Sequence, residues 1–492
     1  MTLITDRART PPILNYDILI YIMGFLPYLS HLSHATRHTL CTMMRTCRTL
    51  YNAGAPIILA EVKLRGNPRH IKSFNSFMLR NLLFRCSFLR ELTLRSPKNW
   101  SQDVSSERFK SESRILEDFA EIIKGCQNLR HLVLMSSEEW ITMHCSIGCA
   151  FASLYDLPSV LVDGGGEYTT EVLRLWEHGL KSLCISFDGL ETNDRNTQGD
   201  PRPLIHNLCN LKELHVKFLD FQPEHDAMEH HLETLSIELW FPAEIDPLVR
   251  SFPQLRNLHF RPLADYNAQE DDVTIAATRE NNLILQGDLH WKILSYYAGD
   301  VIGLYMLAPQ CPISHPDIYP DECPQHFHEI FRDAMPSRLT LRIEDTITPS
   351  ILTTSMPSPM ELPIPLTHAQ LYVETLYHHG TISLEDSLRS LFTFIGNIGS
   401  KLTALMVEWS DLRSGPDDTD ALVRFWGNFR NMSPTSLAYD VVRNTKVLKY
   451  LILHIPFQER ALYWKVERAH PDATVILTPL ITMEEIDIAK EC

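Results

Sequence analysis

One pattern recurs along this chain and restricts its fold more than any other feature: an apolar helical stretch, a short turn, then L-x-x-L-x-[LIVF]. "CSFLRELTLRS" supplies Leu89, Leu92 and Leu94, and "CQNLRHLVLMS" supplies Leu129, Leu132 and Leu134. "HGLKSLCISF", "CNLKELHVKF", "HLETLSIELW", "PQLRNLHFRP", "SKLTALMVEW" and "KVLKYLILHI" repeat it, with weaker copies in "LPSVLVDGG", "VIGLYMLAP" and "SRLTLRIED". The last two apolar positions are two residues apart, so an extended strand points both to one face. The first Leu enters the same core from the turn. A unit of this kind cannot bury its apolar face alone and must stack on the next.

Helical patterns precede the strands. "ILEDFAEIIKGCQN" places Ile115, Phe119, Ile122 and Ile123 on one face, with Gly125 as a stop. "TTEVLRLWEHG", "IDPLVRSFPQL" and "LRSLFTFIGNIG" have the same design. The spacing between copies is roughly 20 to 60 residues, and the closest fall in the leucine-rich range of about 20–29. The fold expected is α/β: an N-terminal helical segment, residues 1–60, then an irregular leucine-rich-repeat-like solenoid over 61–492. Its parallel strands line the concave side and its helices the convex side. Polar or Pro-rich stretches mark loop insertions near 96–113, 191–203 and 344–366, and 282–336 fits the repeat poorly.

Leucine-rich repeats carry Asn or Cys eight residues after the first Leu, where it satisfies backbone groups of adjacent turns. Here Pro97, Ser137, Asp188, Leu219, Trp240, Leu263, Ser410 and Pro456 stand there. Uneven curvature is expected in consequence. Cys86, Cys126 and Cys209, just before strands, read as small buried turn residues.

The net charge of −16 argues against non-specific nucleic-acid binding, which needs a Lys/Arg surface to displace counterions. The charge is uneven. Before Glu61 stand Arg7, Arg9, Arg37, Arg45 and Arg48 against Asp6 and Asp17, with no Lys or Glu. Eleven scattered cysteines without a CxxC pair suit a reducing compartment, cytoplasmic or nuclear. The start "MTLITDRART" has no signal-peptide pattern, and no apolar run is long enough to span a bilayer, so no membrane partner is expected.

Within the basic segment, "ILNYDILIYIMGFL" sets Leu14, Ile18, Ile22 and Phe25 on one helical stripe, with Leu19 and Leu26 beside it. "TLCTMMRTCRTLYNAG" sets Leu40, Met43, Cys47 and Leu50 on another, with Met44 beside it. Helices this short bury too little area to stand alone, so they pack on the body or on a partner.

These residues resemble an F-box over about Pro12–Ala60. Leu14 matches the family's opening Leu, Asp17 its acid, Ile18 and Leu19 the apolar pair, and Ile22 the Ile. Leu40, Met43, Thr46, Cys47, Arg48 and Leu50 match its second half. Asn15 stands where the family has Pro, and Asn starts a helix by capping. An F-box followed by irregular leucine-rich units is similar to F-box proteins of basidiomycete fungi.

The resemblance implies that Leu14, Asn15, Ile18, Leu19, Ile22, Leu26, Leu40, Met43, Met44, Cys47 and Leu50 contact a Skp-type adaptor. That adaptor joins the chain to a cullin–RING ubiquitin ligase, while the repeats hold a protein substrate. Helix-in-groove docking needs such a stripe, and Arg37, Arg45 and Arg48 suit an acidic partner. Two other readings stay open: helices that merely cap the first repeat, and a leucine-rich scaffold outside any ligase.

Strand residues that alternate with the core Leu form the candidate substrate face: Arg95, Met135, His215, Lys217, Glu238, His259, Arg261, Glu408 and His454. Enzyme chemistry is not expected. "DGGGE", Asp163–Glu167, lacks the spacing of a dinucleotide or P-loop motif and reads as a flexible loop. "PEHDAMEHH" is out of step with zinc-protease helices. "CPQHFHEIFRD", with Cys323, His326, His328 and Glu329, would need Cys311 and His315 to complete a metal site. No nucleophile, base and oxyanion donor assemble, so no cofactor, metal or catalytic residue is assigned.

Overall fold

The computed structural model describes residues 16–29, 34–101, 105–176, 179–187, 208–217, 231–238, 244–261, 272–287, 290–319, 326–344, 365–375, 384–411, 431–455, 461–468 and 475–480. The chain is mixed α/β and divides into two compact units: Met1–Thr197 with Pro203–Leu211, and Gln198–Arg202 with Lys212–Cys492.

The first unit opens with α1 (Tyr16–Leu29), α2 (His34–Met44) and α3 (Arg48–Ala60) and runs straight into β1 (Glu61–Gly66). Then follow α4 (Pro68–Met78), α5 (Leu82–Cys86), β2 (Glu91–Pro97), α6 (Glu107–Gly125) and β3 (His131–Met135). The unit continues with α7 (Ser137–Met143), α8 (Cys145–Ala152), β4 (Ser159–Gly165), α9 (Glu167–Arg174) and β5 (Ser182–Phe187). Strands β1 to β5 pair in chain order, all parallel. Their register aligns Val62, Leu92, Leu132, Val160 and Leu183 in one column and Leu64, Leu94, Leu134, Val162 and Ile185 in the next. Helices cover these columns, and Phe119 of α6 packs between Phe74 and Trp140. Local chemistry sets the helix starts. Asn67 and Ser106 accept the backbone N–H three residues on, capping α4 and α6.

The second unit holds β6 (Glu213–Val216), β7 (Thr234–Glu238), α10 (Ile245–Ser251), β8 (Asn257–Arg261), α11 (Asp272–Gln286) and β9 (Leu294–Asp300). Next come α12 (Val301–Leu307), β10 (Ile313–Tyr319), α13 (Phe327–Ala334), β11 (Arg338–Glu344) and β12 (His368–Thr375). It ends with α14 (Leu384–Ile398), β13 (Ala404–Asp411), α15 (Pro434–Arg443), β14 (Tyr450–His454), β15 (Leu462–Glu467) and β16 (Ile476–Pro479). Pairing again follows chain order and is parallel from β6 to β14.

Four expectations need correction. The parallel array does not run to the end, because β14–β15 and β15–β16 are antiparallel. Only seven residues (455–461) join β14 to β15, too few for a parallel crossover, which takes a dozen or more. Residues 282–336 are not foreign to the ladder, since β9 and β10 lie within it. Their pattern is disguised: Tyr297 and Gly299 sit where other strands place Leu, paired with Leu258 and Phe260. Gly299 has no alternative there, because an added Cβ would lie 2.1 Å from the Phe260 carbonyl oxygen and 2.5 Å from the Tyr297 hydroxyl. "VIGLYMLAP" is helix α12, not a strand, capped by Asp300 and almost wholly buried. Cys209 is exposed, whereas Cys86 and Cys126 are buried.

The insertion expected near 96–113 already contains the start of α6 at Glu107. Residues 191–203 and most of 344–366 lie outside the described residues.

The missing Asn/Cys ladder has a substitute. Tryptophan indoles donate to backbone carbonyls: Trp100 to Gly66, Trp140 to Arg95, Trp176 to Phe151 and Trp291 to Phe252, at 2.9–3.2 Å. Asn282 accepts from the Ile245 N–H and donates to the Met306 carbonyl. Buried backbone groups are thus satisfied by unlike side chains at unlike positions, which erases any repeat signature. Among the described residues, no helix is long and apolar enough to cross a membrane.

Candidate functional site

Two surfaces come out of this architecture. The first belongs to the N-terminal helices. Met23, Leu40, Met44, Leu50 and Ala55 form their shared core, with Leu19, Met43 and Cys47 packed half-buried against it. Gly54 allows the close approach: a Cβ there would meet Met44 and Met23 side-chain atoms at 2.5 and 2.6 Å. The cluster is tied to the rest of its unit. Arg37 donates to the Glu61 carbonyl at 3.1 Å. Arg85 of α5 donates to the Tyr51 hydroxyl and lies over the Phe77 ring at 4.0 Å.

The residues expected to meet an adaptor are therefore divided. Leu40, Met44 and Leu50 are buried in the helices' own core. Ile18 and Ile22 stay exposed at 54% and 44%, joined by Tyr21 at 67%. Positions 18, 21 and 22 share one helical face. Leu14, Asn15 and the side chain of Leu26 lie outside the described residues. Of the arginines, Arg37 is engaged as above, while Arg45 and Arg48 are exposed.

The second surface is the sheet face opposite the core. In the first unit, Arg95 is exposed and Met135 half-buried, beside Asp163. The other seven residues of the expected face fall in the second unit. His215 lies 3.5 Å from Glu238, and His454 lies 3.2 Å from Glu408. His259 packs its ring 5.3 Å from Tyr296. Arg261 and Lys217 are exposed. The nine residues of the expected face therefore fall in two groups, one in each unit.

The register sets some of these residues in rows with members that the repeat pattern missed. One outer row runs His259, Ala298, Asp317, Thr340, Gln370, Met406, Ile452 and Tyr463. Another contains Arg342, Tyr372, Glu408 and His454. The Arg342 guanidinium lies 4.6 Å over the Tyr319 ring and 5.4 Å from that of Tyr372. It also stands 3.6 Å from the buried Asp317 carboxylate, which accepts from the Tyr296 hydroxyl at 3.0 Å. His315 bonds the Thr340 hydroxyl at 2.8 Å. Burial holds the imidazoles of His259, His315 and His368 below their ordinary range. His215 adds to the effect at His259, and Arg338 adds to it at His315 and His368. For Thr340, Arg342, Gln370 and Tyr372 the sequence signal is the two-residue alternation of "RLTLRIE" and "HAQLYVE".

Among the described residues, two cavities line this face of the second unit. One, about 390 Å³, is bounded by Glu238, His259, Arg261, Asp300 and Tyr319. The other, about 370 Å³, is bounded by His315, Arg338, His368, Gln370, Tyr450 and Tyr463 over an apolar floor.

Two of the motifs weighed for chemistry make contacts within the fold. In "DGGGE", the Glu138 side chain occupies the turn, accepting from the N–H groups of Gly166, Tyr168 and Thr169 and from the Thr169 hydroxyl. A protein carboxylate thus sits where a phosphate would have to go. In "CPQHFHEIFRD", His326 stacks on Tyr305 at 3.7 Å. Burial pushes the Cys311 thiol up to about 12. Cys323, His225, Glu229 and His230 lie outside the described residues. Among the described residues, no three His, Cys, Asp or Glu side chains gather as metal ligands would. No protein-family model matches the chain, and no curated protein matches it in sequence.

Proposed function

We propose that this chain is the substrate-recognition subunit of an SCF-type (Skp–cullin–F-box) ubiquitin ligase. Helices α1–α3 act as the F-box and dock on a Skp-type adaptor. The helix–strand array, read as an irregular leucine-rich-repeat-like solenoid, holds a substrate protein on its strand-lined face. The chain then contributes proximity, raising the effective concentration of substrate at a ligase whose chemistry lies in the partner.

The observation that carries this reading is the outer side of α1. Its inner side is committed to the helical core through Met23, yet Ile18, Tyr21 and Ile22 remain exposed on the other. A helix apolar on both sides is one that is covered on both sides. An i, i+3, i+4 set of large apolar residues suits docking into a groove. The exposed Arg45 and Arg48 favour an acidic partner and faster encounter.

A second reading has one observation in its favour. Leu40, Met44 and Leu50 are used up inside the cluster, which leaves α2 and α3 little apolar surface for an adaptor. The chain would then be an interaction scaffold with a helical cap. Capture of the full-length chain by immobilised, purified Skp-type adaptor separates the two. Under the ligase reading the wild-type chain is retained, and Ile18→Asp with Ile22→Asp weakens retention at least tenfold without lowering the melting temperature. Both positions are exposed, so the variant keeps its core. No retention of the folded wild-type chain favours the scaffold.

A further inference from the structure

We infer that the corner between α4 and α5 is a docking surface for an acidic segment of a partner protein, one that carries apolar side chains beside its carboxylates. The inference goes beyond the ligase reading and does not rest on it, because the surface lies outside α1–α3.

The corner comes from a break in a helical run. Helix α4 ends at Met78, a single 3-10 turn covers Leu79–Asn81, and α5 begins at Leu82. The inward side of the run is committed to the core through Ile71, Asn75, Met78, Arg85 and Cys86. Asn75 donates to the Ile115 carbonyl of α6 at 2.7 Å, and Arg85 donates to the Phe77 carbonyl and the Tyr51 hydroxyl. Leu79, Leu83 and Phe84 are left outside, Leu83 at 82% exposure. Phe84 is held in place by an edge-on contact with Phe88 at 4.8 Å, so the apolar corner is formed before any partner arrives. A single exposed Leu is ordinary, but large apolar side chains grouped on one fixed corner mark an interaction site.

The sequence decides the sign of the partner. Residues 18–90 hold ten Lys or Arg and one acid, Glu61, in a chain whose net charge is −16. Glu61 pairs with Lys63 at 2.6 Å. Arg65, Arg69, Lys72 and Arg80 are exposed, and among the described residues none of them forms an ion pair. Helices α4 and α5 pack against α3, β1 and α6. Helix α6 brings acid, but Glu107, Glu112 and Glu121 bind Lys110, Arg108 and Lys124 of the same helix, and Glu117 faces His144. Its remaining acid, Asp118, is half-buried. An acidic partner is therefore steered to the corner by charge and held there by apolar contact. A nucleic-acid backbone would match the charge and leave Leu79, Leu83 and Phe84 uncovered. An anionic bilayer would match both, but it extends in two dimensions and would also face the acidic remainder of the chain. A protein segment touches the corner alone.

The test uses the full-length chain alone, so it reads out whether or not an adaptor binds. The probe is a capped, rhodamine-labelled peptide of two heptads, with Leu on one helical stripe and Glu elsewhere, followed by fluorescence anisotropy. Its counterpart has Gln in place of every Glu. The Leu-Glu peptide is expected to bind at least tenfold tighter than the Leu-Gln peptide, with the difference shrinking from about 50 to about 500 mM salt. Leu83→Asp with Arg80→Glu should weaken Leu-Glu binding at least tenfold, while Ile18→Asp with Ile22→Asp should leave it unchanged. All four positions are exposed, so both variants keep their cores. Equal binding of the two peptides overturns the inference, as does Leu-Glu binding that survives Leu83→Asp with Arg80→Glu. Co-sedimentation with phosphatidylcholine–phosphatidylserine vesicles (about 3:1), lost in that same variant, also overturns it and transfers the corner to membranes.

Discussion

Glu138 reaches from the first turn of α7 to the start of α9 and serves as that helix's cap from outside. Its carboxylate accepts three backbone N–H groups at 2.9–3.0 Å and the Thr169 hydroxyl at 2.7 Å. Gly166 has to be glycine for this, since an added Cβ would lie 2.6 Å from the Glu138 carboxyl carbon. Loss of an N-cap costs about 1–2 kcal/mol. Removing a negative charge from a helix N-terminus costs about 0.3–1 kcal/mol more. The Thr169 hydroxyl is buried but keeps Ser137 as a second partner at 3.2 Å, so its loss adds about 1 kcal/mol. Glu138→Ala should therefore destabilise this region by about 2–4 kcal/mol. Glu138→Gln, which keeps the shape but not the charge, should cost about half of that. Hydrogen exchange is the direct assay, because the donors are the amides of Gly166, Tyr168 and Thr169. Their protection should fall roughly 30- to 1,000-fold in the Ala variant, at about tenfold per 1.4 kcal/mol. Unchanged protection, with an unfolding free energy within about 0.5 kcal/mol of wild type, would refute the reasoning. The glycine run would then be a loop held by something other than this carboxylate.

Two further outcomes follow from the second unit. Gly299→Ala should destabilise it by about 3 kcal/mol in urea unfolding, because the clash is with a backbone carbonyl that cannot swing aside; Ala298→Ser, on the half-exposed outer row, should be close to neutral. The second unit should also lose stability as pH falls below about 6.5, the ordinary value for histidine in an unfolded chain. His259, His315 and His368 have folded pKa values below those of the unfolded chain, so the unfolded state takes up more protons in that window. Replacing all three with Gln should flatten the thermal-melt profile over the same range, and an equally steep profile would assign the loss to other groups.

The repeat was legible in the sequence wherever Leu and another aliphatic residue filled the inward positions. Leu92 and Leu94, Leu132 and Leu134, and Leu214 and Val216 all stand in the expected columns. It was illegible at β9 and β10, where a buried Tyr297 beside Gly299 does the filling and Pro316 interrupts the pattern. The α12 stretch misled because it is apolar on nearly every side, and a run buried all round carries neither period. The N-terminal stripe showed the opposite limit. Periodicity set Leu40 and Leu50 on an apolar stripe expected to meet an adaptor, and the structure instead buries both in the helices' own core. Arg338, His368 and Tyr450 could not have been grouped from the chain alone, since 112 positions separate the first from the last and only the register brings them into one row.

The antiparallel strands β15 and β16 have a consequence for how such a chain can change. From β6 to β14 each strand meets only its predecessor and its successor, with the same polarity. A duplicated helix–strand segment in that stretch would find a seat of the right direction on either side. Between β14 and β16 the polarity reverses twice, so a helix–strand segment inserted beside β15 would meet a strand running the wrong way. Growth by duplication is therefore open from β6 to β14 and closed on either side of β15. A cavity walled by the terminal strands would keep its wall while the array before it lengthened or shortened.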